Sequence, residues 1–141
     1  MSKTKLKTAG SYKTLEKKLD RIFSEYIRLK AAYEGGYCQC ITCGKFYHWR
    51  ELDNGHYISR TVKAVRFNEI NCNPQCTWCN LRRQGQHHIY RDKLIEIYGK
   101  EEVEKLENLA RIGGADNSDS LQIKIVEYRK KVKQLKNEKG L

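Results

Sequence analysis

Cys40-Ile-Thr-Cys43 and Cys76-Thr-Trp-Cys79 are two CxxC pairs separated by 32 residues. Each pair sits on a short turn that aims two thiolates at one point, and Zn²⁺ accepts four soft ligands tetrahedrally. The spacing therefore predicts a structural zinc ion held by Cys40, Cys43, Cys76 and Cys79. A closed shell of four thiolates leaves no position for water or substrate, so any chemistry must lie elsewhere. All six cysteines fall between residues 38 and 79. In a reducing compartment, clustered cysteines read as metal ligands rather than disulfides. Cys38 and Cys72 are left over and read as ordinary buried thiols.

Around this staple the chain is patterned for helices. Leu15, Leu19, Ile22, Phe23 and Tyr26 recur at helical spacing, predicting a first helix from Tyr12 to about Ala32, ahead of Gly35-Gly36. Residues 37–75 carry short aromatic and β-branched runs without helical period, predicting short strands and loops. Past Pro74 a helix is expected from Cys76 to Tyr90, continuing from Asp92 to Tyr98, with Gly85 and Gly99 as interruptions. Val103, Leu106 and Ala110 suggest a short helix. Asp116-Asn117-Ser118 then offers a cap, and Leu121, Ile125, Tyr128, Val132 and Leu135 form one stripe on a helix of about 20 residues. That stripe predicts packing against the first helix, with a dimer seam as the alternative. The expected architecture is α+β and mainly helical, with a zinc-bound core over residues 37–99. It is preceded by a basic tail and helix over residues 1–36 and followed by helices with a basic tail over residues 100–141.

The charge indicates the partner. The chain has 28 Lys and Arg against 17 Asp and Glu, a formal charge of +11, which favours a polyanion such as nucleic acid. Residues 45–91 hold eight basic and three acidic side chains, whereas residues 92–119 hold four and eight. The motif-bearing segment is thus positive and the one after it negative. No apolar run approaches the roughly 20 residues of a membrane span. No secretory signal follows the start either. A soluble cytoplasmic protein with no membrane partner is expected.

Between and beside the cysteine pairs lie Gly55-His56-Tyr57 and Asn71-Cys72-Asn73-Pro74-Gln75-Cys76-Thr77-Trp78-Cys79-Asn80. His56, Asn71 and Asn80 resemble the three positions of the HNH nuclease motif, in the variant of the phage endonuclease VII group that carries CxxCN. The order of CxxCG, GHY, Val65-Arg66-Phe67, N-x-x-x-QC-x-x-CN and Tyr90 to Gly99 is similar to that of the phage NinG (Rap) recombination proteins, over about residues 38–135. The resemblance implies a His-Me finger (ββα-metal) core and a recombination endonuclease that cuts branched DNA, such as Holliday junctions, D-loops and flaps. Symmetric junction cleavage would favour a homodimer, for which the two helical extensions are candidate interfaces.

The residue chemistry fits that reading. Phosphodiester hydrolysis needs a base to deprotonate water and a divalent cation to neutralise developing charge. His56, after a flexible Gly-bearing turn, suits the base. Asn80, beside the ligand Cys79, suits an oxygen ligand of a Mg²⁺ or Mn²⁺ ion. Asn71 suits orientation of the loop that carries His56. Many HNH enzymes have an acidic or His ligand where this chain has Gly55, so the second metal ligand stays open among Asp53, His87 and His88. His48 receives no role. Arg60, Lys63, Arg66, Arg82 and Arg83 flank the motif and are expected either to meet phosphates or to pair with nearby carboxylates. The rival reading is a non-catalytic zinc-ribbon DNA-binding protein; an RNA-directed nuclease of the same fold is a third.

Overall fold

A computed structural model of the chain describes residues 10–83 and 86–141. The expected basic tail over residues 1–9 and the break at Gly85 lie outside the described residues.

Helix α1 (Tyr12–Ala31) starts at Ser11, whose Oγ accepts the Thr14 N–H at 3.1 Å, one of the donors every helix start leaves open. Its apolar face buries Leu15, Leu19, Phe23, Tyr26 and Ile27. Strand β1 (Tyr37–Gln39) pairs antiparallel with β2 (Phe46–His48). Strand β3 (Asp53–His56) pairs antiparallel with β4 (Cys72–Gln75), setting Asp53 opposite Gln75 and His56 opposite Cys72. Helices α2 (His87–Tyr98), α3 (Lys100–Ile112) and α4 (Ser118–Lys139) complete the chain. Among the described residues the structure is therefore mainly helical, with two two-stranded sheets.

Two buried clusters hold these elements together. The first packs Leu15, Leu19 and Phe23 of α1 against Leu121, Ile125 and Tyr128 of α4, with Trp49 and every cysteine but the exposed Cys43. Rings meet edge-on here: Phe23 and Tyr26 each lie 4.9 Å from Tyr128. The α4 stripe is consequently satisfied within the chain, as core packing rather than a dimer seam. The second cluster packs Tyr57 and Val65 against Tyr90, Leu94, Val103 and Leu106. Polar ties reinforce the first cluster. Glu69 accepts from Tyr26, Lys30 and Tyr128 at 2.9–3.0 Å. Burial opposes ionisation of Glu69, but these donors hold its carboxyl below the usual range.

Much of the α4 charge also turns inward. Lys124 pairs with Asp116, Lys131 with Glu127 and Lys136 with Glu25. Lys139 donates to the carbonyls of Leu29, Lys30 and Ala32 at the negative end of α1, where Leu29 also accepts the Ala32 N–H. The basic C-terminal stretch is thus partly a device for docking α4, and only the lysines on its outer face are left to meet a polyanion.

The helix expected from Cys76 to Tyr90 is not continuous. A five-residue π-helical turn, Trp78–Arg82, closes with the Arg83 N–H on the Trp78 carbonyl, and α2 begins only at His87. Gln86 between them has φ +51°, which takes the chain out of any right-handed helix. Its Nε2 donates to Cys79 Sγ at 3.5 Å, so the cysteine cluster itself draws the chain away from helical geometry.

Candidate metal centre and polar cleft

The two CxxC turns converge. The sulfurs of Cys40, Cys43, Cys76 and Cys79 all lie within 4.8 Å of one another, with Cys43 Sγ 3.9 Å from Cys76 Sγ. Zn–S bonds of about 2.3 Å in a tetrahedron place sulfurs about 3.8 Å apart, so the cluster fits a zinc ion. Backbone N–H groups already point at the sulfurs: Cys76 N to Cys40 Sγ at 3.3 Å and Cys79 N to Cys76 Sγ at 3.5 Å. Burial opposes ionisation of Cys40, but the donors from Cys76, Thr42 and Cys43 outweigh it and pull its thiol down to about 6. Burial and the neighbouring Cys40 push Cys43 up to about 12. A bound cation removes that mutual opposition. Cys38 and Cys72 stand apart as buried thiols, and burial raises the pKa of both.

Beside the cluster, β3 and the π-helical turn face α1 across a cleft of about 620 Å³. Its lining includes His56, Asp53, Asn54, Asn80, Arg60 and Arg66, together with Asp20, Ser24 and Arg28 from α1. His56 and Asn80, assigned to one site from sequence, therefore border the same space.

His56 Nε2 lies 3.0 Å from the Arg66 carbonyl. A carbonyl can only accept, so Nε2 carries the proton and the neutral ring keeps Nδ1 as an acceptor. Burial is the main cause that lowers the His56 pKa, which keeps the ring neutral. Asn71 is fully buried. Its Oδ1 accepts the Ile58 N–H at 2.8 Å, and its Nδ2 donates to the Ile58 and Val65 carbonyls at 3.0 Å. The amide thereby closes the loop between β3 and β4, next to the carbonyl that holds His56.

Asn80 Nδ2 donates to Asp53 Oδ2 at 3.2 Å. A carboxylate and a carboxamide thus stand side by side in the cleft, the oxygen-bearing set that a hard divalent ion takes. Asn54 Oδ1, on the same wall, is buried with no hydrogen-bond partner among the described residues. Gly55 has its own steric reason. A Cβ there would sit 2.6 Å from Gln75 Cβ and closer still to Gln75 Oε1, so the position ahead of His56 cannot carry a side chain. Tyr90 fixes the same point from below, its hydroxyl donating to the Gly55 carbonyl at 2.6 Å.

The other sequence candidates fall differently. Because the chain leaves the helix at Arg83, His87 and His88 open α2 as exposed residues that do not line the cleft; the His87 ring instead lies 5.9 Å from Tyr57. Lys63 pairs with Glu16 at 3.5 Å and lies over the Tyr12 ring. Arg66 grips Asp20 through two bonds of 3.0 and 2.6 Å, and it too approaches Glu16. For these two cations, pairing with carboxylates is what the fold adopts. Arg60 lines the cleft and forms no ion pair among the described residues. Arg82 and Arg83 are exposed on and just after the π-helical turn. Sequence reasoning missed the α1 contribution, although Asp20, Ser24 and Arg28 step by four and form a polar stripe beside the apolar one.

Fold and sites together define a small α+β protein whose four-cysteine centre can hold a metal ion such as zinc, with a polar cleft alongside. Over residues 1–138 the chain matches the family of the bacteriophage lambda NinG protein, and it belongs to that family. It is 36% identical over 104 residues to protein ninG of Escherichia phage lambda, covering 72% of this chain and 49% of that protein. The corresponding proteins of Escherichia phage 933W and Salmonella phage P22 are each 34% identical over 104 residues, covering 72% of this chain and 50% and 49% of theirs. This chain spans about half the length of each of these relatives. No solved structure matches it. No helix among the described residues is long and apolar enough to cross a membrane.

Proposed function

We propose that this chain is a metal-dependent endonuclease for branched DNA, with an HNH-type site in the cleft and a structural zinc in the four-cysteine centre. The observation that carries the reading is the shared cleft: a neutral imidazole with one nitrogen committed to a backbone carbonyl, beside a paired carboxylate and carboxamide, with the guanidinium groups of Arg60 and Arg28 in the same lining. His56 Nδ1 takes the proton of the attacking water. Arg66, through its carbonyl, fixes the ring's tautomer and direction. Asp53 and Asn80 would hold a Mg²⁺ or Mn²⁺ ion, which when bound neutralises charge on the phosphate and the leaving oxygen. Asn71 positions the loop, and Arg60 and Arg28 attract the phosphodiester backbone.

The test is cleavage of a flapped duplex and a four-way junction by zinc-loaded protein with Mg²⁺ or Mn²⁺ added. Wild type is expected to nick, and His56→Ala to bind without cutting. Equal cutting by His56→Ala removes the mechanism. Binding that never leads to metal-dependent cutting makes the chain a zinc-ribbon DNA-binding protein instead.

A further inference from the structure

The chain has two tryptophans, and the fold treats them oppositely. Trp49 is 4% exposed in the core, whereas Trp78 is 54% exposed on the π-helical turn, two residues after Cys76 and two before Asn80. Leu81 on the same turn is 67% exposed and lines the cleft. Turning two large apolar side chains toward water forgoes the gain of burying them, and neither supports a core cluster. Cations surround the ring. The Arg82 guanidinium lies 5.5 Å from its centroid. A hollow of about 340 Å³, floored by the cysteine centre, is lined by Trp78 and Tyr47 together with Lys45 and Arg83. The turn is thus an aromatic ridge, with basic side chains on one side and the cleft on the other.

We propose that Trp78 is a stacking platform for an unpaired base of a DNA strand whose backbone is held by Lys45, Arg82 and Arg83 and runs past Leu81 into the cleft. This rests on the nuclease reading for the identity of the polymer, and deepens it by naming what distinguishes a branch from a plain duplex. In a duplex both faces of each internal base are already stacked, so an indole cannot reach them. At a flap or junction an unpaired base offers a free π-face, and stacking on an aromatic side chain tolerates any sequence. Guanidinium groups beside the ring add cation–π attraction and neutralise the flanking phosphates.

Tryptophan emission reads this directly. His56→Ala protein, with zinc bound and no other divalent ion added, is titrated with a duplex closed by hairpin loops of non-nucleotide linker, and with the same duplex carrying a single-stranded arm. The armed DNA is expected to quench emission and the closed duplex to leave it unchanged. Trp78→Phe should abolish the quench while retaining binding, because Trp49 is buried. Trp78→Ala should weaken binding of the armed DNA by roughly 5- to 150-fold and leave the closed duplex within about twofold. Since the Trp78 side chain is exposed, zinc content and circular dichroism should match the parent protein. Tight binding of the armed DNA without quenching overturns the platform, as does an equal loss for both DNAs in Trp78→Ala. The two readings separate in protein with His56 intact. Quenching without any cutting ends the nuclease assignment and leaves the platform; cutting whose branch preference survives Trp78→Ala does the reverse. Failure to bind either DNA ends both.

Discussion

Asn71→Ala isolates the part of the site that can be costed most directly. The Asn71 side chain is fully buried and makes three hydrogen bonds, to the Ile58 N–H, the Ile58 carbonyl and the Val65 carbonyl. No alanine group can replace any of them. At about 1 kcal/mol net for each bond, the truncation should cost about 3 kcal/mol. On a domain of this size, that is a fall in Tm of roughly 10 °C. Asn71→Asp should be at least as damaging, because a carboxylate keeps the acceptor for Ile58 but faces two carbonyl oxygens with no proton to donate. The assay is urea unfolding in the presence of excess zinc, followed by circular dichroism, so that metal occupancy stays constant. Amide exchange should identify the locus: Ile58 N–H should lose protection, while the Leu19 and Leu29 amides in α1 should lose no more than the global change requires. An Asn71→Ala protein within about 1 kcal/mol of wild type, with Ile58 still protected, would show that the loop is held by its backbone alone.

Gly55→Ala should destabilise by about 1–3 kcal/mol through overpacking, since the added methyl meets the Cβ of Gln75 as well as its amide end, and the Cβ cannot swing away; an unchanged urea midpoint would contradict the close approach. Lys139→Met keeps the apolar stem but removes the donor that caps α1, and should cost about 1 kcal/mol by the same measurement; no loss would mean that water serves those carbonyls equally well. His56 should titrate below its ordinary value of about 6.5 in an NMR pH series. Its contribution to stability is then fully present above about pH 6.5 and is lost as pH falls through the lowered folded pKa, because the unfolded chain binds the proton first; a midpoint above 6.5 would contradict a buried neutral ring. Metal analysis should find one zinc per chain, falling to a small fraction in Cys76→Ser along with cooperative unfolding; full zinc occupancy in that variant would exclude Cys76 as a ligand.

What the sequence made legible follows from how local each signal is. The CxxC pairs, the α1 and α4 stripes and the cap at Asn117 are carried by residues within a few positions of each other, and all appear in the structure. The positions of Arg66 and Lys63 were not legible, because their partners Asp20 and Glu16 lie more than 40 residues away on α1. A charge count cannot separate a cation that is already paired from one that is available. The break before α2 was legible only as an interruption at Gly85, without its cause. Residues 76–90 mix good helix formers such as Leu81, Arg82 and Gln86 with weaker ones such as Thr77 and Asn80, and the structure adds the pull of the cysteine centre on Cys79 and Gln86, a tertiary constraint that local propensity does not register. His87 and His88 lost their route to the cleft by that same break.

The link between metal centre and cleft is mechanical as well as spatial. Strands β3 and β4 form an isolated two-stranded sheet of four residues each, a unit that is marginal by itself in water. Cys76 follows β4 without a gap, and Cys79 directly precedes Asn80, so the end of the sheet and the start of the π-helical turn are both set by the four sulfurs. The opposite end is set without metal, by Asn71 on Ile58 and Val65 and by the Arg66 carbonyl, which accepts from both His56 and Cys72. Tyr90 anchors the middle through the Gly55 carbonyl. His56 and Asn80 therefore hang from opposite ends of one small hairpin, one end held by hydrogen bonds and the other by the four-cysteine centre, which can hold a metal ion. Loss of zinc should release Asn80 first and leave the His56 environment to follow as β3 and β4 separate. The sheet can hold two side chains across the cleft in this way because both anchors are tied to the main core, where Cys72, Cys76 and Cys79 pack with α1 and α4.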